Sequence, residues 1–258
     1  MTCAAFFDMD GTLLSHRTNS VPASARRALA ELRSRGITVG LATGRSYHEL
    51  VDLNIPDLTF DVLLTLNGQL VVDAENHYLA GNPLTGAALQ SVLELFEARE
   101  VPTILIQLDR QYVNFINEDL VSAHRATHTS LPELGTYTGG EVFQAMLFAN
   151  GERLAELAAQ LPDCDVTRWD DTAVDVNAPS DGGKADGIAR WCQAQGVDIA
   201  DVIAFGDAEN DITMLRAAGT GVALGNATPE AKAAADYVTD DIDADGVWNA
   251  LVHLGVIA

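Results

Sequence analysis

Two aspartates stand one residue apart in Asp8-Met9-Asp10-Gly11-Thr12, directly after the apolar run Cys3–Phe7. Carboxylates this close repel one another unless a cation or a proton sits between them. Gly11 permits the chain to turn sharply out of the run, although an ordinary Asp-Gly turn has the same look. A second apolar run, Ile37–Ala42, ends in Thr43-Gly44-Arg45. A threonine hydroxyl followed by backbone N–H groups at a helix start can hold a phosphate, and it can equally be a plain N-cap for a helix over Tyr47–Leu53. Val62–Leu66 runs into Asn67-Gly68, which taken alone reads as a hairpin turn. Lys184 follows Gly182-Gly183 at a helix start, where the dipole disfavours a cation. An anion to neutralise would explain it, and so would a solvated surface lysine. The run Val202–Phe205 leads into Gly206-Asp207-Ala208-Glu209-Asn210-Asp211. Asp207 and Asp211, four apart, are expected on one face of a helical turn, a hard-oxygen pair suited to Mg²⁺ or an acidic helix start.

These residues need elements to position them. The apolar runs Cys3–Phe7, Ile37–Ala42, Val62–Leu66, Val202–Phe205 and Thr220–Leu224 have the unbroken character of strands buried on both faces. Segments of helical period alternate with them: Pro22–Arg35, Gly183–Gln195, Asn210–Ala218, Pro229–Ala235 and Asp245–Leu254. The alternation predicts an α/β domain with a Rossmann-like, doubly wound parallel sheet. In such a sheet ligands bind beyond the carboxyl ends of the strands, where every one of the chemistry-bearing stretches falls.

Residues 83–182 read differently, as helices (Thr85–Glu100, Glu118–His128, Gly151–Gln160) among hairpin-like strands such as Thr103–Leu108 with Gln111–Ile116. This predicts an α+β module inserted into a discontinuous core formed by 1–82 and 183–258. The turn-rich stretches Ala80–Pro83 and Ala178–Gly183 suit its hinges.

The chain has 258 residues, 48% of them hydrophobic and 20% charged, as soluble globular domains do. Its formal net charge of −22 argues against nucleic acid or an anionic membrane surface as partner. An anionic substrate would need local positive charge, from a metal ion or a placed Lys or Arg. No apolar stretch reaches the ~18 residues of a membrane-spanning helix, and no leader-like start precedes Cys3. Three cysteines (Cys3, Cys164, Cys192) without a CxxC give no disulfide framework. A cytoplasmic protein is expected. His124 and His128 have the i,i+4 spacing of a zinc helix, but HRATH lacks the glutamate of HExxH, and a helix surface explains them better. The Gly219, Gly221, Gly225 spacing is not a dinucleotide fingerprint.

Taken together, Asp8-x-Asp10-Gly11-Thr12, Thr43-Gly44-Arg45, Lys184 and Gly206-Asp207-x-x-Asn210-Asp211 resemble the haloacid dehalogenase-like phosphatases. GDAENDITML from Gly206, with Asn226-Ala227 and Asp245-Gly246-Val247, resembles the Cof-type subgroup, which carries a large α/β cap between its second and third motifs. The resemblance spans nearly the whole chain. Ala185 and Met9 depart from the usual Gly and Leu without changing a chemical group.

The resemblance implies a Mg²⁺-dependent phosphatase of small phosphate monoesters, such as sugar phosphates. Asp8 would be the nucleophile that forms an aspartyl-phosphate, and Asp10 the acid and base. Mg²⁺ would be held by Asp8, the Asp10 carbonyl and Asp207, with Asp211 acting directly or through water. Met9 N–H, Thr43, Gly44, Lys184 and Asn210 would hold the phosphate oxygens. A cap would then set the choice of substrate, with Arg110, Asn114, Asn117, His124 and His128 as polar candidates. A sugar phosphomutase keeps the same aspartates and is the nearest alternative. A non-catalytic binding protein would have lost some of them.

Overall fold

A computed structural model describes residues 2–53, 55, 58–127 and 129–258. Along the chain run β1 (Ala4–Phe7), α1 (Ala23–Ser34), β2 (Thr38–Ala42), α2 (Tyr47–Leu53), β3 (Val62–Thr65), β4 (Leu70–Asp73) and β5 (Tyr78–Gly81). There follow α3 (Gly86–Ala98), β6 (Thr103–Ile106), β7 (Gln111–Val113), α4 (Glu118–Thr127), β8 (Glu133–Leu134), β9 (Gln144–Phe148), α5 (Gly151–Ala158), β10 (Asp165–Asp170) and β11 (Ala173–Asn177). The chain closes with α6 (Lys184–Gln195), β12 (Val202–Gly206), α7 (Ile212–Ala217), β13 (Thr220–Ala223), α8 (Pro229–Ala234), β14 (Tyr237–Val238) and α9 (Gly246–His253).

Two compact units result. The first comprises Met1–Gly44, Ile55–Ala80 and Gly182–Ala258; the second comprises Arg45–Asn54 and Gly81–Asp181. The segment around α2, which the sequence placed with the core, therefore groups with the insert. The reason is visible in its polar ties: Ser46 Oγ donates to Gln111 at 3.2 Å, and Asp52 accepts from the Ser130 backbone at 3.1 Å.

The first unit is built on a sheet of order β14-β13-β12-β1-β2-β3-β4-β5, parallel from β14 to β3. From β1 the chain steps to β2 in one direction; from β12 it steps to β13 in the other. Right-handed crossovers then send α1 and α7 to opposite faces, which is the doubly wound arrangement. Strand alternation serves both layers. Phe6 packs with Trp191, Ile188 and Met214 of the α6–α7 side, while Phe7 stacks on Phe205 at 4.7 Å. Helix α1 buries Ala25, Ala28, Leu29 and Leu32, one stripe of period 3.6, and leaves through Gly36 at φ 73°. The reversal of strand order between β1 and β12 makes the crevice beyond their carboxyl ends.

The hairpin turn that Asn67-Gly68 suggests is present: β3 continues into an antiparallel pairing with β4, with Thr65 opposite Leu70. Its tip, Leu66-Asn67-Gly68, has three consecutive positive φ values of 55°, 53° and 88°. The second unit has a sheet of order β10-β11-β9-β6-β7-β8, in which α3 and α5 contribute Val92, Phe96, Leu154 and Leu157 to its apolar core.

Candidate active site

Phe7 of β1 pairs with Phe205 of β12, so Asp8 and Asp207 leave the sheet beside one another. Asp8 is held by its own N–H, which donates to the Phe205 carbonyl at 3.0 Å. The turn after it is tight: Leu13 and Leu14 N–H both donate to the Met9 carbonyl. Gly11 sits at φ 91°, where a Cβ would lie 2.2 Å from Asp207 Oδ2. Only glycine lets Asp207 come this close to the turn.

Lys184 is fully buried and donates from Nζ to Asp8 Oδ1 and to Asp211 Oδ1, each at 2.6 Å. This excludes the solvated surface lysine. The helix-start cation is compensated by two carboxylates. Asp211 spends its other oxygen on backbone: Oδ2 accepts from Asp207 N–H at 2.8 Å and Ala208 N–H at 3.0 Å. Asp207 thus precedes the helix, and Asp211 reaches back from a 3₁₀ turn over Glu209–Asp211 to fix the loop. The expected pair on one face of a helical turn is not what forms. Thr12 Oγ1 donates to Asp207 Oδ1 at 2.7 Å and aims that carboxylate. Thr12 was visible only as part of the motif, with no hint of this bond.

Asp8, Asp207 and Asp211 each offer a carboxylate oxygen, and the three oxygens lie within 4.8 Å of one another. Among the described residues Lys184 is the one ammonium bonded within the trio, to Asp8 and Asp211, so three carboxylates leave a formal deficit of two positive charges. Burial pushes the Asp207 carboxyl up to about 6, with Asp211 adding to the rise and the Thr12 bond opposing it. Asp8 is raised by burial, which Lys184 only partly offsets, and Asp211 raises it further. Burial alone would lower the Lys184 ammonium, but its two carboxylates outweigh that and raise it. Hard oxygen donors with two missing charges fit a divalent cation such as Mg²⁺.

Thr43, 1% exposed, bridges strand ends: its N–H donates to Leu64 carbonyl at 2.9 Å and its carbonyl accepts from Asn67 N–H at 2.9 Å. It is not the N-cap of α2. Ser46 is, through a reciprocal box with Glu49: Glu49 N–H donates to Ser46 Oγ, and Ser46 N–H to Glu49 Oε2. Asn67 belongs to the site in a way the hairpin reading did not suggest. Its Oδ1 accepts from Asn210 Nδ2 at 3.2 Å, and a Cβ on Gly44 would lie 3.3 Å from its amide. Asn226, of the Asn226-Ala227 pair, ties Gly11 to the far loop by donating to the Gly11 carbonyl and accepting from Ile242 N–H.

The polar candidates of the insert separate clearly. Asn114 is buried in four bonds, to Thr103, Phe115, Phe96 and Val101, and is a structural knot. Asn117 caps α4 through Leu120 N–H. His124 is buried rather than on the helix surface, its ring beside Phe148 and its Nδ1 2.9 Å from Thr129 Oγ1; burial lowers its pKa. His128 lies outside the described residues. Arg110 is held by Gln107 and Thr138 and lies over the Tyr112 ring, at a hollow of about 400 Å³. No helix among the described residues is long and apolar enough to cross a membrane.

A family profile described as haloacid dehalogenase-like hydrolase matches residues 5–251. YkrA of Bacillus subtilis, which carries a provisional name as a phosphatase, is 37% identical over 98% of this chain and 97% of its own. The HMP-PP phosphatase of Yersinia pestis is 31% identical over 88% of this chain and 85% of its own. The sugar phosphatase BT4131, of haloacid dehalogenase subclass IIB, superposes with a TM-score of 0.78 at 32% identity, covering 99% of this chain and 100% of its own. With the fold, the crevice and these relatives in agreement, the chain belongs to the haloacid dehalogenase-like hydrolases and is a phosphatase of their Cof type.

Proposed function

We propose that the protein is a Mg²⁺-dependent phosphatase that hydrolyses small phosphate monoesters, sugar phosphates or related metabolites, through an aspartyl-phosphate on Asp8. The observation that carries this reading is the buried Lys184 held by Asp8 and Asp211 at 2.6 Å, beside an Asp207 left short of positive charge. The sugar phosphatase and HMP-PP phosphatase among the relatives support a small phosphorylated substrate.

Phosphoryl transfer asks a protein chiefly for positioning and charge neutralisation. Asp8 attacks phosphorus with a carboxylate oxygen while the bond to the alcohol breaks. Asp10, half-buried two residues on, protonates the leaving alkoxide. It then takes a proton from the water that attacks the acyl phosphate, and inorganic phosphate leaves Asp8. Lys184 orients the Asp8 carboxylate and neutralises phosphoryl charge. Thr43, Gly44, Asn210 and the Met9 N–H hold phosphoryl oxygens. The Asp8 and Asp207 carboxylates and the Asp10 carbonyl would hold Mg²⁺, with Asp211 fixing the loop that carries Asp207. When bound, the ion supplies Lewis-acid neutralisation of the phosphoryl group. To the second unit we assign the choice of the alcohol portion.

The test is phosphate release from a panel of phosphorylated metabolites and an aryl phosphate, with Mg²⁺, with excess EDTA, and with Asp8→Asn. Turnover lost in EDTA and in Asp8→Asn supports the reading. Turnover that survives in Asp8→Asn overturns the aspartyl-phosphate. Isomerisation of a sugar phosphate without net phosphate release would move the assignment to a mutase.

A further inference from the structure

The sheet of the second unit has two chemically distinct faces. Leu105, Ala145, Leu147, Val174 and Val176 enter the apolar core. Alternation sends Gln144, Asp175 and Asn177 to the other face. The register places Gln144 of β9 directly opposite Asn177 of β11, with Asp175 two residues along the same strand. All three are at least nine-tenths buried, with 2%, 9% and 7% exposure. Each nevertheless carries a buried oxygen with no hydrogen-bond partner: Gln144 Oε1, Asp175 Oδ1 and Asn177 Oδ1. A buried acceptor left without a donor is costly, because it has given up its water and received nothing in return. Three at adjacent positions of two paired strands mark a place kept for something else. Burial, with Glu49 nearby, raises the Asp175 carboxyl, and the neighbouring Gln144 and Trp169 side chains oppose that rise.

All three orphans are acceptors. A partner must therefore bring O–H or N–H donors, and it must not bring negative charge next to Asp175 and Glu49. We propose that this sheet face is a recognition site for a small molecule bearing several hydroxyl groups or an ammonium group, whose donors complete Gln144, Asp175 and Asn177. The proposal rests on the phosphatase reading only where it takes that molecule to be the alcohol portion of the substrate. A free polyol or amine presents the same donors.

Two measurements on the full chain distinguish the sources. The first compares kcat/KM for sorbitol 6-phosphate and glucosamine 6-phosphate with that for p-nitrophenyl phosphate, in wild type, Gln144→Leu, Asn177→Leu and the isosteric Asp175→Asn. The second follows the thermal shift that free sorbitol and glucosamine give the same proteins, whose folding is checked by near-UV circular dichroism. If the substrate supplies the donors, the preference for the hydroxylated esters over the aryl ester falls at least tenfold in the leucine variants. Asp175→Asn lowers the preference for the ammonium ester more than that for the neutral one. If the ligand is a free polyol or amine, the preference holds, while the thermal shift of wild type disappears in the variants. Preferences within twofold of wild type, together with no wild-type thermal shift, overturn the proposal. A wild type that releases phosphate from no ester fails the phosphatase reading instead, and the thermal shifts alone then decide this site.

Discussion

Removing the Lys184 ammonium would leave the buried Asp8 and Asp211 facing each other without their shared donor. Breaking a buried ion pair from one side costs about 3–5 kcal/mol. Lys184→Met should therefore lower the unfolding free energy by about that much in urea titrations at pH 8. The loss should be smaller at pH 5, where Asp8 can take a proton. An equal loss at both pH values would show that Asp8 does not take up the proton, and no loss at either would show that the carboxylates never relied on the ammonium. Asp207 gives a second expectation. Its folded-state carboxyl is raised from 3.8 to about 6, so the folded protein holds this proton more tightly than the unfolded chain. The stability this contributes is fully present below the ordinary value and is lost as pH rises through about 6. In EDTA, melting temperatures of wild type relative to Asp207→Asn should accordingly fall between pH 4 and pH 7. A divalent ion binds the ionised form, so the thermal shift given by Mg²⁺ should grow over the same range. A relative melting temperature that rises with pH in EDTA would contradict the raised carboxyl.

Positioning these residues is the work of strand ends and of one strained turn. Leu66 and Asn67 hold positive φ without being glycine, which costs of order 1–3 kcal/mol each and persists only where the surroundings enforce it. The enforcement is packing against the start of α6. A Cβ on Gly68 would lie 2.6 Å from the Gly183 carbonyl, and one on Gly187 would lie 2.7 Å from Gly68 Cα. The turn that carries Asn67 is thereby locked to the helix that carries Lys184. Gly68→Ala, strained at φ 88° as well as crowded, should push α6 outward. Phosphatase kcat/KM should fall at least tenfold, with a loss of about 1–3 kcal/mol in stability. Ala at the exposed Gly36, where nothing lies within 4 Å of a Cβ, should leave kcat/KM unchanged despite its positive φ. Comparable losses at both positions would show that left-handed strain alone matters. The strand ends were legible because unbroken apolar runs stop at Asp8, Thr43 and Gly206, and a change from apolar to polar is a local signal. The contact between Gly68 and Gly187 was not legible, because it joins positions over a hundred residues apart. Ser46 as the cap of α2 was readable in principle from its S-x-x-E spacing to Glu49. The buried oxygens of Gln144, Asp175 and Asn177 were hidden for another reason: on β11 the polar residues alternate with apolar ones, as they would on any half-solvated strand, and Gln144 is a single polar residue at the start of the otherwise apolar β9.

At the scale of the molecule, a net charge of −22 surrounds a crevice that is itself short of two positive charges. Both fields have the same sign for a cation, so they add in attracting Mg²⁺. For a phosphate ester they oppose one another, because the general field repels the anion that the bound ion and Lys184 attract at short range. Salt separates these contributions. The Debye length shrinks from about 30 Å at 0.01 M to about 8 Å at physiological ionic strength, which screens distant surface carboxylates far more than the buried trio. Calorimetric titration of Mg²⁺ should show a Kd that rises severalfold between 10 and 150 mM KCl and then flattens, because Asp8, Asp207 and Asp211 remain within reach of the ion at any salt. Asp207→Asn should weaken binding at every salt concentration while keeping the same slope. The slope belongs to the whole surface, and the intercept to the site. A Kd indifferent to KCl would confine the attraction to the three carboxylates and leave the acidic surface without a part in recruiting the ion.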